Sequence, residues 1–169
     1  MAEARHRTVG FATAGIVFLA DQLAKWTVIG PLDLKTKGAI TLLPIFDLKW
    51  VENYGVSMGF LIAGSETERW ALVALTAAIS LGVTYWMWGE KIRSDVMALG
   101  LVLGGAIGNI LDRVRFGHVV DFLDLHFGDW PPFLVFNVAD AAITIGVLLL
   151  VLRAVFTREK KDPAENANA

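Results

Sequence analysis

The chain has 169 residues, 55% of them hydrophobic, and a mean hydropathy of +0.54. That apolar excess points away from a soluble domain and toward the bilayer. The absence of cysteine excludes disulfides, thiol catalysis and cysteine-ligated metals. A net charge of −2 with no basic stripe gives no sign of a nucleic-acid partner.

Four apolar stretches predict an all-α membrane protein with four transmembrane helices, since about 20 helical residues cross the hydrocarbon. The first expected span, residues 9–30, is interrupted only by Asp21, Gln22 and Lys25. It follows Arg5-His6-Arg7 as a signal peptide would. No small-x-small cleavage site comes after it, so it is read as retained. Residues 31–68 form an outer segment long enough to fold. Within it, Ala39–Leu43 and Phe46–Asn53 read as short strands, the second by its apolar–polar alternation. Together they predict a small extracytoplasmic β-sheet on the membrane surface.

The second span, 69–88, carries no charge between Trp70 and Trp88. The third, 94–113, carries the stripe Gly100-xxx-Gly104-xxx-Gly108, which lets another helix backbone approach closely. Residues 114–133 are expected as an outer loop or helix over the site. They hold Asp121, Asp124, His126 and Asp129 ahead of Pro131-Pro132. The last span, 134–156, contains Asn137, Asp140 and Arg153. Residues 1–160 make a single membrane domain, and the polar tail 161–169 is expected to be disordered. Basic residues in the turn Gly89-Glu90-Lys91-Ile92-Arg93 and in the tail Arg158-Glu159-Lys160-Lys161 place both termini in the cytoplasm.

The polar residues inside this apolar frame are the functional candidates, because charge in hydrocarbon costs about 2.5–3.5 kcal/mol on insertion scales. Asn109, Asp112 and Arg113 share one face of the third helix, and Asn137 and Asp140 share a face of the fourth. With a helix start near Leu134, Asp140 is expected about 9 Å into the span. Asp21 and Lys25, i and i+4 in the first helix, lie at the same depth. They are either a plain intrahelical ion pair or part of the site. Asp112–Arg113 is either interfacial charge or part of the site, and Asp124 and Asp129 read as solvated loop acids. The histidine spacing matches no metal motif, and nothing in the sequence links Ser57 to Lys25 as a hydrolase pair.

Asp121 and Asp140 are the strongest catalytic candidates. Two carboxyls within reach of each other cannot both ionise easily, so the pair holds one proton and can activate water without metal or cofactor. A proton-coupled transporter with Asp21, Asp121 and Asp140 as a relay is the rival reading, and a scaffold is a third. The clustering of the polar groups toward one side leaves no continuous path for a transporter.

At these residues the chain resembles the lipoprotein signal peptidases, or signal peptidase II, which are integral-membrane aspartyl proteases. The matching pieces are Asp21-Gln22-Leu23-Ala24-Lys25, then Asn53-Tyr54-Gly55-Val56-Ser57-Met58-Gly59-Phe60. Next come Gly104-Gly105-Ala106-Ile107-Gly108-Asn109-Ile110-Leu111-Asp112-Arg113, Val119-Val120-Asp121-Phe122 and Phe136-Asn137-Val138-Ala139-Asp140. Met58 departs from the aromatic residue that many relatives carry.

The resemblance implies that Asp121 and Asp140 are the catalytic dyad. It also implies that Asn53, Gly55, Asn109, Arg113 and Asn137 line or support the site, and that Asp21 and Lys25 support its architecture. The implied substrate is a prolipoprotein whose cysteine already carries diacylglycerol, cut just before that cysteine. The implied setting is a multi-pass, monomeric protein of the bacterial inner membrane, working among membrane lipids with its site toward the periplasmic face. The outer segments, with Trp50, Phe60, Phe127, Trp130 and Phe133, are expected to form an interfacial clamp.

Overall fold

The computed structural model describes residues 2–55, 66–128 and 130–158. The readings placed on Ser57, Met58, Phe60, Asp129 and the tail 161–169 lie outside these residues.

Helix α1 (Ala2–Ile29) ends at Gly30-Pro31 and is followed by the single turn α2 (Leu34–Lys37). The β1 (Ala39–Leu43) and β2 (Phe46–Asn53) hairpin comes next, with the bounds its alternation predicts. Helices α3 (Glu66–Gly89) and α4 (Arg93–Phe116) follow, then β3 (Val119–Leu125) and α5 (Val138–Arg158). Helices α3, α4 and α5 are long and apolar enough to cross a membrane.

The burial pattern is inverted relative to a soluble protein. Ile16, Leu23, Leu81 and Leu152 are exposed, whereas Asp21, Lys25, Asp112 and Asn137 are buried. An apolar exterior with the polar groups gathered and paired inside is what a hydrocarbon solvent selects, because unpaired polar groups cost most where no water reaches them. Helix α4 lies between α1 and α5, and its glycines permit that closeness. A Cβ on Gly105 would stand 2.5 Å from the Ala139 carbonyl oxygen of α5. One on Gly108 would stand 2.6 Å from Asp21 Oδ2 of α1. The small-residue stripe is therefore helix packing, and it carries the polar groups of three helices to one place.

Three corrections to the sequence reading bear on the site. Residues 114–133 contribute a strand, and no helix follows Gly117 before α5 among the described residues. Strand β3 pairs antiparallel with β2, Asn53 opposite Val119 and Val51 opposite Asp121, giving sheet order β1-β2-β3. It is buried on both faces, so Val119-Val120-Asp121-Phe122 shows no alternation to read. Second, α5 starts at Val138, not near Leu134. Phe136 is held extended by bonds with Leu123, and its N–H lies 3.0 Å from the Leu123 oxygen. Asp140 is thus in the first turn of α5, not 9 Å along it. Third, Asp124 is a buried strand residue facing Lys49 at 3.6 Å, not a solvated loop acid.

Candidate active site

Asn137 is where the site begins. It precedes α5 as its N-cap, with Oδ1 accepting the Asp140 N–H at 2.9 Å. Asp140 answers by accepting the Asn137 N–H through Oδ2 at 3.3 Å. This is a capping box with aspartate in the N3 position. The same local chemistry that starts the helix therefore fixes the Asp140 carboxyl.

The Asn137 Nδ2 group reaches away from the helix and donates to Asp121 Oδ1 at 2.7 Å and to Asn109 Oδ1 at 3.2 Å. Asn109, from α4, donates through Nδ2 to Asp140 Oδ1 at 2.7 Å. Asn53, at the end of β2, donates through Nδ2 to Asp121 Oδ2 at 2.9 Å. Its own Oδ1 accepts the Gly55 N–H at 3.0 Å. Gly55 sits at φ +107°, a conformation that favours glycine, so the chain can double back over Asn53. Each carboxylate thus accepts from two nitrogen donors, and Asn137 joins the two.

Behind this pair lies a buried ionic cluster. The Lys25 ammonium stands 2.8 Å from Asp21 Oδ2, 2.7 Å from Asp112 Oδ2 and 3.3 Å from Asn109 Oδ1. Gln22 Nε2 bridges Asp21 and Asp112 at 3.1 Å each. Asp112 Oδ2 also accepts the Val120 N–H at 3.1 Å, and Asp21 Oδ1 accepts the Ala139 N–H at 3.0 Å. Asp21–Lys25 is more than an intrahelical pair, and Asp112 is fully buried, not interfacial. The sequence shows Gln22 as an interruption of the first span and a member of the Asp21–Lys25 motif, with no role of its own. The available signal was a polar residue beside Asp21 inside an apolar span. Arg113 reaches the Asn109 carbonyl oxygen through Nη1 at 3.4 Å. His118 and His126 face Glu52 and Asp47, at 3.9 and 3.3 Å.

Asp121 and Asp140 open onto a cavity of about 510 Å³. Asn53 and the two aspartates supply its polar wall, while Phe133, Leu134 and Phe136 line it as well, together with Thr144 and Ile145 of α5. Asp121 is only 1% exposed. Burial, and then the neighbouring Asp140, push its carboxyl up to about 6. Removing a carboxylate from water disfavours its charged form, and a second carboxylate nearby adds repulsion. The arrangement can hold a proton between two acids on the wall of an apolar cavity, which is the equipment for acid–base chemistry on a bond placed there.

A family model described as signal peptidase (SPase) II matches residues 13–156. A lipoprotein signal peptidase from Rhizorhabdus wittichii is 66% identical, covering 100% of this chain and 99% of its own. One from Sphingopyxis alaskensis is 53% identical over 92% of this chain and 90% of its own. Among solved structures, a bacterial membrane enzyme determined in meso superposes with a TM-score of 0.76 at 26% identity, covering 91% of this chain and 92% of that one. Match length, identity and fold agree: the chain belongs to the signal peptidase II family and is a membrane peptidase.

Proposed function

We propose that the protein is an aspartyl endopeptidase that removes signal peptides from diacylglyceryl-modified prolipoproteins, cutting just before the lipidated cysteine. The observation that carries this reading is the Asn137-joined pair, Asp121 and Asp140, in the wall of an apolar cavity. A peptide tethered to acyl chains stays in the bilayer, so its protease must offer carboxyls and water at that boundary. Asp121, whose carboxyl is pushed up to about 6, holds the shared proton. Asp140, accepting from Asn109 and Asn137, is its partner in the pair.

Asp140 takes a proton from water as the oxygen attacks the scissile carbonyl carbon, and Asp121 donates to the carbonyl oxygen. Collapse of the tetrahedral diol breaks the C–N bond, the cysteine nitrogen takes a proton, and the pair returns to its starting charge. Two side-chain carboxyls and one water suffice, with no cofactor or metal.

Helix α1 is read as the fourth span. Its polar residues Asp21, Gln22 and Lys25 face α4 or its partners, while Phe11, Ile16, Leu19 and Leu23 point outward. With the basic turn after α3 inside, residues 1–160 form one membrane domain of the inner membrane with cytoplasmic termini. The sheet and the two aspartates then lie on the periplasmic side, next to membrane lipids, in a monomer.

The test uses purified protein in nanodiscs with a prolipoprotein in two forms, with and without diacylglycerol on its cysteine. Mass spectrometry is expected to show one cut, before the cysteine, in the lipidated form only. A cut elsewhere, or equal cutting of the unlipidated form, overturns the reading.

A further inference from the structure

Lys25 is buried, yet it is tied to both segments that carry the reacting acids. An ammonium has three hydrogens and no acceptor lone pair, and here each hydrogen has a partner: Asp21, Asp112 and Asn109. Each partner passes the constraint on. Asp112 holds the Val120 N–H at 3.1 Å, and Val120 is the residue before Asp121. Asp21 holds the Ala139 N–H at 3.0 Å, and Ala139 is the residue before Asp140. Asn109 has its oxygen engaged by Lys25 and Asn137, which leaves its Nδ2 to donate to Asp140 at 2.7 Å.

We infer that Lys25 is a positioning residue for the cleavage reaction, its ammonium setting through Asp112, Asp21 and Asn109 where the two carboxyls stand and which donors they meet. This rests on the reading of Asp121 and Asp140 as the reacting pair. A purely structural ion cluster needs only to satisfy its own charges. This one also holds the backbone beside each aspartate, Asp21 through its other oxygen Oδ1 and Asp112 through the same Oδ2 that meets Lys25, from helices α1 and α4 that carry neither reacting acid. The geometry is that of a clamp on a separation, and a shared proton is sensitive to separation.

The charge of Lys25 also acts on the pair. Facing Asp121 are Asp140 from α5, Lys25 from α1 and Arg113 from α4. Asp140 adds to the upward push that burial gives Asp121, whereas Lys25 pulls it down. Removing the ammonium therefore moves the alkaline limb of the activity profile to higher pH. Loss of stability alone would leave that limb in place.

Two variants test the inference, Lys25→Met and the triple variant Lys25→Met/Asp21→Asn/Asp112→Asn. The triple variant removes the buried charge together with its counter-charges, and each new asparagine keeps an oxygen for Ala139 or Val120. Rates are taken per folded molecule on the lipidated substrate. The expected result in either variant is a fall in kcat of at least about tenfold with KM within about threefold, and in Lys25→Met, where the ammonium alone is removed, an alkaline limb displaced upward. A folded variant with wild-type kcat and an unmoved limb overturns the inference, even if its melting temperature has dropped. Wild type and Asp140→Asn are run alongside. Failure of wild type to cut before the cysteine, or normal cutting by Asp140→Asn, would sink the proposed function itself. Normal behaviour of those two with unaltered Lys25 variants would sink only the role of Lys25.

Discussion

Asp121→Asn and Asp140→Asn each lower kcat for the lipidated substrate by about 10³-fold, within the range that positioned acid–base groups contribute. An amide neither takes a proton from water nor passes one to a carbonyl oxygen, so either change ends the exchange between the two sites. The packing changes little. At position 140 the substituted oxygen can still accept the 2.7 Å bond from Asn109, and only the longer 3.3 Å bond from the Asn137 N–H is lost. At position 121 the oxygen keeps the bond from buried Asn137, while exposed Asn53 can turn to water. Circular dichroism should therefore show folded protein in both cases. A folded variant that cuts within tenfold of wild type would remove its aspartate from the reaction.

The second large effect is on stability. Lys25→Met leaves Asp21 and Asp112 buried without their cation, and breaking a buried ion pair from one side costs about 3–5 kcal/mol. Gln22 still donates to both acids, but it is neutral and was already doing so. Thermal unfolding in detergent is expected to show this loss, and most of it should return when Asp21→Asn and Asp112→Asn are added. The exposed Lys35–Glu52 pair, 2.8 Å apart, is the contrast, since ion pairs in contact with water contribute little. A Lys25→Met protein as stable as wild type would mean that water reaches the cluster.

How far the sequence foretold this structure depended on where each signal is stored. The β1–β2 hairpin was legible because apolar and polar residues alternate along Phe46-Asp47-Leu48-Lys49-Trp50, the period of a strand. Strand β3 was not, because both of its faces are largely buried and Val119-Val120-Asp121-Phe122-Leu123-Asp124-Leu125 shows no period-2 alternation. The start of α5 was misplaced by the apolar Leu134-Val135-Phe136, which hydropathy assigns to the span. The better signal was Asn137 three residues before Asp140, a helix-start pattern that also builds the site.

The two aspartates stood out because charge beside hydrocarbon is costly, and that argument needs no structure. What joins them was out of reach. Lys25 meets Asn109 across 84 positions, and Asp21 meets the Ala139 N–H across 118. Spacing along one helix says nothing about a partner on another. The sequence alone leaves Asp112 between two readings for the same reason, since only the fold shows that it faces Lys25.

The central claim is that Asp121 and Asp140 work while holding one proton between them, and the pH dependence of kcat/KM on the lipidated substrate tests it most directly. This ratio reports the free enzyme's essential groups. Asp121 has its carboxyl raised to about 6, so the shared proton is bound below that pH and lost above it. The expected profile falls with rising pH through about 6, and the kcat profile falls at higher pH because bound substrate excludes more water from the pair. A kcat/KM that stays flat from about pH 5 to 9 would contradict a one-proton pair.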